Sequence, residues 1–184
     1  MVDKMHDMTE GNLHNAFAGE SQAHMRYKIY SEIAIEEGYP NVARMFRAIS
    51  FAERVHASNH LERMPREEGY FSGKNPYGTG TTSENLQAGI DGETFEIEEM
   101  YPTYKKVAEF QEEDTAKQSF DWALKAEKIH AKMYKYAKRS VDEGEDVELG
   151  KIQICSVCGH TREGEAPSQC PICGAKKEEF KEFS

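Results

Sequence analysis

Residues 126–134 read AEKIHAKMY, and residues 51–60 read FAERVHASNH. Each stretch sets a glutamate three residues before a histidine, Glu127 with His130 and Glu53 with His56. Both lie in runs otherwise patterned as ordinary helix, and residues three apart share a helix face. A carboxylate and an imidazole therefore point the same way as Leu124 and Tyr134, which belong to an apolar stripe. A single pair of this kind is weak evidence, because glutamate fills 26 of 184 positions and chance alone gives about one. The placement of both pairs on core-facing stripes is what needs a chemical reason.

Four helical patterns fill residues 9 to 143. The first begins near Thr9 as N-cap, stops at Gly38, and carries the stripe Leu13, Phe17, Glu20, His24, Tyr27 and Ala34. The second starts at Pro40 and has ended by Gly69, with Pro65 able to close it a turn earlier. Its stripe is Val42, Phe46, Ile49, Glu53, His56 and His60. YFSGKNPYGTGT, residues 70–81, is a loop by composition. The third opens on a capping box, Thr81 with Glu84, and runs to about Glu112 with a kink expected at Pro102. The fourth spans about Asp114 to Gly144, with Phe120, Leu124, Glu127, Ala131 and Tyr134 inward.

An internal repeat joins the halves. Glu53 and His56 recur 74 residues on as Glu127 and His130, and AGESQAHMRY (18–27) pairs with DGETFEIEEMY (91–101), setting Glu20 against Glu93 at an offset of 73. Two helical hairpins, each with a glutamate on its first helix and Glu-x-x-His on its second, make a four-helix bundle. Glu20, Glu53, Glu93 and Glu127 would each cost several kcal/mol, by order of magnitude, if buried without partners. Metal cations remove that cost. The candidate ligands are Glu20, Glu53, His56, Glu93, Glu96, Glu127 and His130, a set that suits iron or manganese and exceeds what one ion can hold. Ferritin-like dimetal proteins are described by this arrangement. Glu96 lies one turn beyond Glu93 in an acidic run and reads equally as a surface acid; Glu98 and Glu99 fall on solvated faces. His24 and His60 read as satisfied core histidines. Tyr27 and Tyr101 are core aromatics whose hydroxyls are within reach of a ligand carboxylate.

All the cysteines lie in the tail, as Cys155-x-x-Cys158 and Cys170-x-x-Cys173, with Gly159 and Gly174 after each pair. Four thiolates form a tetrahedral site for iron or zinc. Iron makes it a one-electron carrier and zinc a structural clasp; a neighbouring redox pair that needs electrons favours iron. His160 is not required as a ligand. The expected domains are 1–144, a bundle; 145–150, an acidic linker; and 151–184, a metal knuckle. Net charge of −10 disfavours nucleic acid. No run approaches a membrane span or a signal peptide, and clustered thiols fit a reducing cytoplasm.

Together FAGESQAHMRY, AERVH, GETFEIEEMYP, AEKIH and ICSVCGH…CPICGA, in that order, resemble the rubrerythrin family over nearly the whole chain. The resemblance implies an all-α ferritin-like bundle followed by a rubredoxin-like Fe(SCys)4 domain. It implies a non-haem di-iron peroxidase that reduces hydrogen peroxide in oxidative stress defence. Electrons would come from NAD(P)H through a reductase or rubredoxin, in a homodimer or larger assembly. Glu53 and Glu127 would bridge the irons; Glu20 and Glu96 would serve one, Glu93 and His130 the other. His56 would replace Glu96 on reduction. His160 departs from the aromatic residue expected at its position. The competing readings are a ferritin-like iron-oxidising or dioxygen-reducing protein, and a binding module clasped by zinc.

Overall fold

The computed structural model describes residues 5–65 and 76–184. Five α-helices come first: α1 (Asp7–Glu36), α2 (Pro40–Arg63), α3 (Thr82–Phe95), α4 (Tyr101–Phe110) and α5 (Asp114–Asp142). A single π-helical turn, Glu96–Met100, joins α3 to α4, so α3 and α4 together form the third member of a four-helix bundle. Three short strands follow, β1 (Ile152–Cys155), β2 (Thr161–Glu163) and β3 (Phe180–Phe183). They form an antiparallel sheet in the order β2-β1-β3.

Local signals set most helix ends. Thr81 and Glu84 complete the reciprocal capping box at the start of α3. Pro40 occupies the first turn of α2, and Gly38 and Gly144 take positive φ just beyond α1 and α5. Thr9 is not the cap of α1. The helix reaches back to Asp7, with the Glu10 N–H on the His6 carbonyl, and the buried Thr9 hydroxyl donates to Gln111 at 2.6 Å. Residues 66–75, including Gly69 and part of the expected loop, lie outside the described residues.

The third helix departs from expectation most usefully. The disturbance expected at Pro102 takes the form of a widened turn just before it, where the Tyr101 N–H bonds the Glu96 carbonyl. Pro102 has no N–H for the usual bond four residues back, and one π turn absorbs the mismatch by inserting a residue. The repeat shows the same insertion. Glu20 and Glu93 are 73 apart, whereas Tyr27 and Tyr101, beyond the π turn, are 74 apart. The extra residue keeps Tyr101 fully buried and aimed at the bundle interior.

The stretch read as a linker is pinned. The Asp146 carboxylate accepts from the backbone N–H groups of Asn41 (2.8 Å) and Val42 (3.2 Å), capping α2. Val147, Ile152 and Ile154 are fully buried in the same core as Phe46 and Ile49. The knuckle thus lies along α2 of its own chain. Asn59 donates to the Val157 carbonyl at 2.9 Å, and Trp122 on α5 packs on the buried cysteines. No helix among the described residues is long and apolar enough to cross a membrane.

Candidate metal centres

The stripes do what their spacing requires: Glu20, Glu53, His56, Glu93, Glu127 and His130 are all at most 2% exposed. Their ligand atoms converge in two overlapping groups, Glu20–Glu53–His56–Glu127 and Glu53–Glu93–Glu127–His130, each within 4.8 Å. Glu53 and Glu127 belong to both. Glu53 sets one oxygen 2.9 Å from His56 Nδ1 and the other 3.3 Å from His130 Nδ1. Glu127 does the same at 2.8 Å and 2.6 Å. Each carboxylate divides its oxygens between two positions, which is the geometry of a bridge.

The electrostatics ask for cations. Burial, then Glu96, Glu127 and Glu53, raise Glu20 well above the ordinary carboxylate range. Burial, followed by Glu127 and Glu53, does the same to Glu93. Burial pulls both histidines down, but the carboxylates outweigh it. Glu127 leads at His56, which is held well above its usual range, and Glu53 at His130, which rises to about 9. Burial would raise Glu127, yet His56 and His130 hold it below the usual range. Glu20 Oε2 is buried with no hydrogen-bond partner among the described residues, and Glu53 Oε1 and Glu127 Oε1 face a histidine Nδ1 without completing a hydrogen bond. Orphaned buried oxygens are rare and costly. Here they lie where a metal pair takes them, so the donor set fits two irons.

Glu96 stands apart. It sits at the start of the π turn, partly exposed, and does not join either convergent group. Its carboxyl is raised by burial and then by Glu127 and Glu53, so it is electrostatically close to the cluster. Glu98 and Glu99 are exposed.

Hydroxyl groups hold the outer carboxylates. Tyr27 donates to Glu93 Oε1 at 3.0 Å, and Tyr101 donates to Glu20 Oε1. His24 is taken up by Ser50, its Nδ1 lying 2.7 Å from the Ser50 carbonyl, and clamps α1 to α2. His60 does reach the neighbourhood, 3.1 Å from the Tyr101 hydroxyl.

In the knuckle, Sγ pairs stand 3.7 Å (Cys155–Cys173) and 3.6 Å (Cys158–Cys170) apart. That is far beyond the ~2.05 Å of a disulfide. It is close to the ~3.8 Å edge of a tetrahedron with ~2.3 Å metal–sulfur bonds. Gly159 and Gly174, at φ 78° and 79°, return their N–H groups to the carbonyls of Cys155 and Cys170 at 2.9 Å. The four-cysteine set fits a rubredoxin-like iron site. His160 fills an aromatic slot, its ring edge-on to Phe180 at 6.2 Å. Burial keeps it neutral, pulled down to about 4.

The two centres touch. His130 Nε2 lies 2.7 Å from Thr161 Oγ1, which donates in turn to the Gly159 carbonyl at 3.2 Å. A side chain at 159 would overlap the His56 ring, so glycine there serves the knuckle turn and also makes room for the bundle. Sequence spacing gave no sign of Thr161, because nothing in a tail motif reports which helix it will lie against.

Residues 11–138 match the Rubrerythrin family, and residues 153–181 match the rubrerythrin rubredoxin-like domain. The chain is 45% identical to Rubrerythrin-2 of Clostridium acetobutylicum, over 96% of this chain and 97% of the relative. It is 33% identical to nigerythrin of Nitratidesulfovibrio vulgaris, over 92% and 83%. A solved structure of nigerythrin in a partially reduced state superposes with TM-score 0.82 at 30% identity, covering 100% of this chain and 91% of the other. With a ferritin-like bundle, a carboxylate–histidine cluster fit for two irons and a four-cysteine knuckle, the chain belongs to the rubrerythrin family, whose members are generally oxidoreductases.

Proposed function

We propose that this chain is a hydrogen peroxide reductase. Its dimetal ligands would be Glu20, Glu53, His56, Glu93, Glu127 and His130, with Glu96 as an alternative, and its electrons would arrive through Cys155, Cys158, Cys170 and Cys173. The carrying observation is the hydrogen-bonded contact between His130 and the knuckle through Thr161. An iron-storing bundle has no use for an electron carrier fastened to a ligand histidine. A purely structural clasp leaves the orphaned carboxylate oxygens unexplained.

An iron pair held by these residues would supply the two electrons that, with two protons from solvent, turn peroxide into two waters, and iron held by the four cysteines would restore those electrons. The chain's own part is positional. Glu53 and Glu127 hold the two positions at fixed separation, each giving one oxygen to either side. Tyr27 and Tyr101 each occupy one oxygen, of Glu93 and of Glu20, and so fix how those carboxylates are oriented. A packed aromatic cluster of Tyr27, Tyr30, Phe46 and Tyr134 closes one end of the site to water.

The original donor in this reading is NAD(P)H, by way of a reductase or rubredoxin. The working assembly is a homodimer or larger; exposed Met25 and Ile29 on α1 offer an apolar stripe to a second copy. Anaerobic stopped-flow of the reduced, iron-loaded chain tests the activity. Oxidation of the bundle irons by one equivalent of peroxide, much faster than by air-saturated buffer, is expected. A faster reaction with dioxygen would make the chain an oxidase.

A further inference from the structure

We propose that His60 is a positioning residue for the Glu20 half of the dimetal site, acting through Tyr101 by a hydrogen-bond chain that starts at Ser119. The proposal rests on the dimetal reading above. Ser119 Oγ lies 2.7 Å from His60 Nδ1, and His60 Nε2 lies 3.1 Å from the Tyr101 hydroxyl, which donates to Glu20 Oε1. All four side chains are at most 1% exposed.

The chain has one direction. Serines inside helices usually give their proton to a carbonyl a turn back, as Ser31 does to Lys28 and Ser58 to Arg54. Ser119 has no such carbonyl partner among the described residues, so its proton is directed at His60 Nδ1. Burial, then the nearby His56 and Arg63, bring His60 down to about 3 and keep it neutral. A neutral imidazole carries one N–H, and with Nδ1 accepting, that N–H is on Nε2. It donates to the Tyr101 oxygen. Tyr101 then has its proton free for Glu20 alone. Glu20 Oε1 is occupied, and Oε2 has no protein partner.

The internal repeat shows that the fold does not require this chain. At the repeat offset of 74, His60 corresponds to Tyr134, Ser119 to Met45 and Tyr101 to Tyr27. The Glu93 half is therefore backed by Tyr27, Tyr134 and Met45, a buried and mainly apolar set. The repeat-related position in the other half is filled without an imidazole or a serine hydroxyl. Burying those groups on the Glu20 side alone assigns them to that side's metal.

The test uses the full chain loaded with zinc(II), which is diamagnetic, and nitrogen-15 NMR of His60 with chelator competition for the bundle metals. The Nε2–H tautomer is expected. His60→Leu is expected to weaken metal binding in the bundle by about tenfold or more, the usual effect of removing such a partner. His60→Gln, whose amide can replace Nε2–H, is expected to stay within about fivefold of wild type. The Nδ1–H tautomer overturns the proposal. So does a His60→Leu chain with wild-type affinity, or a His60→Gln chain that falls as far as His60→Leu, since packing alone would then explain the histidine. If His60→Leu does not fold, the tautomer in the wild-type chain still decides. A wild-type chain that binds zinc only at the knuckle overturns the dimetal reading itself, which the stoichiometry reports before any variant is compared.

Discussion

His56 and His130 face each other across the dimetal cluster with ring centroids 6.0 Å apart and planes inclined by 29°, yet only one is held from behind. His130 Nε2 reaches Thr161 at 2.7 Å, whereas His56 Nε2 is buried against Gly159 with no hydrogen-bond partner among the described residues. The internal repeat makes the two histidines equivalent within the bundle, and the knuckle makes them different.

Thr161→Val should expose that difference. Valine keeps the shape and removes the hydroxyl, so His130 loses the acceptor for its outer N–H. Partners of this kind typically contribute about 10- to 100-fold in metal affinity. Chelator competition should show a loss in that range at the bundle, with the knuckle's sulfur-to-iron absorption unchanged. Thr161→Ser should retain most of the wild-type affinity. An unaltered Thr161→Val protein would reduce the contact to packing.

The pH dependence of the metal-free chain follows from His130. Its folded value, about 9, is above the ordinary 6.5. A raised group contributes stability that is complete below the unfolded value and is lost as pH rises through the folded one. The buried glutamates whose carboxyls are raised act with the same sign. The metal-free protein should therefore melt at lower temperature at pH 9 than at pH 6.5. Metal replaces those protons, so apparent affinity should climb over the same window with proton release. Thermal melts of the free and loaded chain across this range check both. A metal-free melting temperature that rose towards pH 9 would contradict the electrostatics of the cluster.

Trp122 gives a reading of the docked knuckle. It is the sole tryptophan, and it packs against the cysteine cluster with the Arg63 guanidinium 5.4 Å from its ring centre. Iron at the knuckle absorbs light and should quench its emission, while zinc there should not. Asn59→Ala removes the 2.9 Å bond to Val157 and should partly restore emission in the iron form. Equal emission with iron and zinc would mean that the knuckle does not rest on α5 in solution.

Much of this was legible in the sequence, for a physical reason. Helical period and the Glu-x-x-His repeat place Glu53, His56, Glu127 and His130 without tertiary knowledge, because side chains on one stripe must meet. The cysteine spacing likewise carries its own geometry. What could not be read were contacts between distant elements: Asp146 capping α2, Thr161 behind His130, Ser119 behind His60. Each depends on how two separate elements pack, and no local pattern encodes that. The π turn was half legible. Pro102 announced a disturbance, but the change in repeat offset from 73 to 74 could be assigned to an inserted residue only once the π turn was seen.

The remaining prediction concerns Glu96 and His56. Here His56 Nδ1 is inside the cluster, 3.7 Å from Glu20, 2.9 Å from Glu53 and 2.8 Å from Glu127, while Glu96 stays outside. Two physical features would let these residues exchange. His56 has no outer hydrogen bond to fix it, and Glu96 sits at the start of a π turn, a helix irregularity often found at functional sites. A di-iron(III) pair carries two more positive charges than di-iron(II), so oxidation favours an anionic carboxylate over a neutral imidazole. Reduction would relax that preference and should return the position to His56. Glu96→Gln should therefore weaken iron retention in the oxidised protein more than in the reduced one. His56→Ala should leave the oxidised centre largely assembled while slowing its reaction with peroxide after reduction. Crystal structures of both oxidation states would decide: one ligand set shared by the two would sink the exchange and leave Glu96 as a partly exposed acid on the rim of the site.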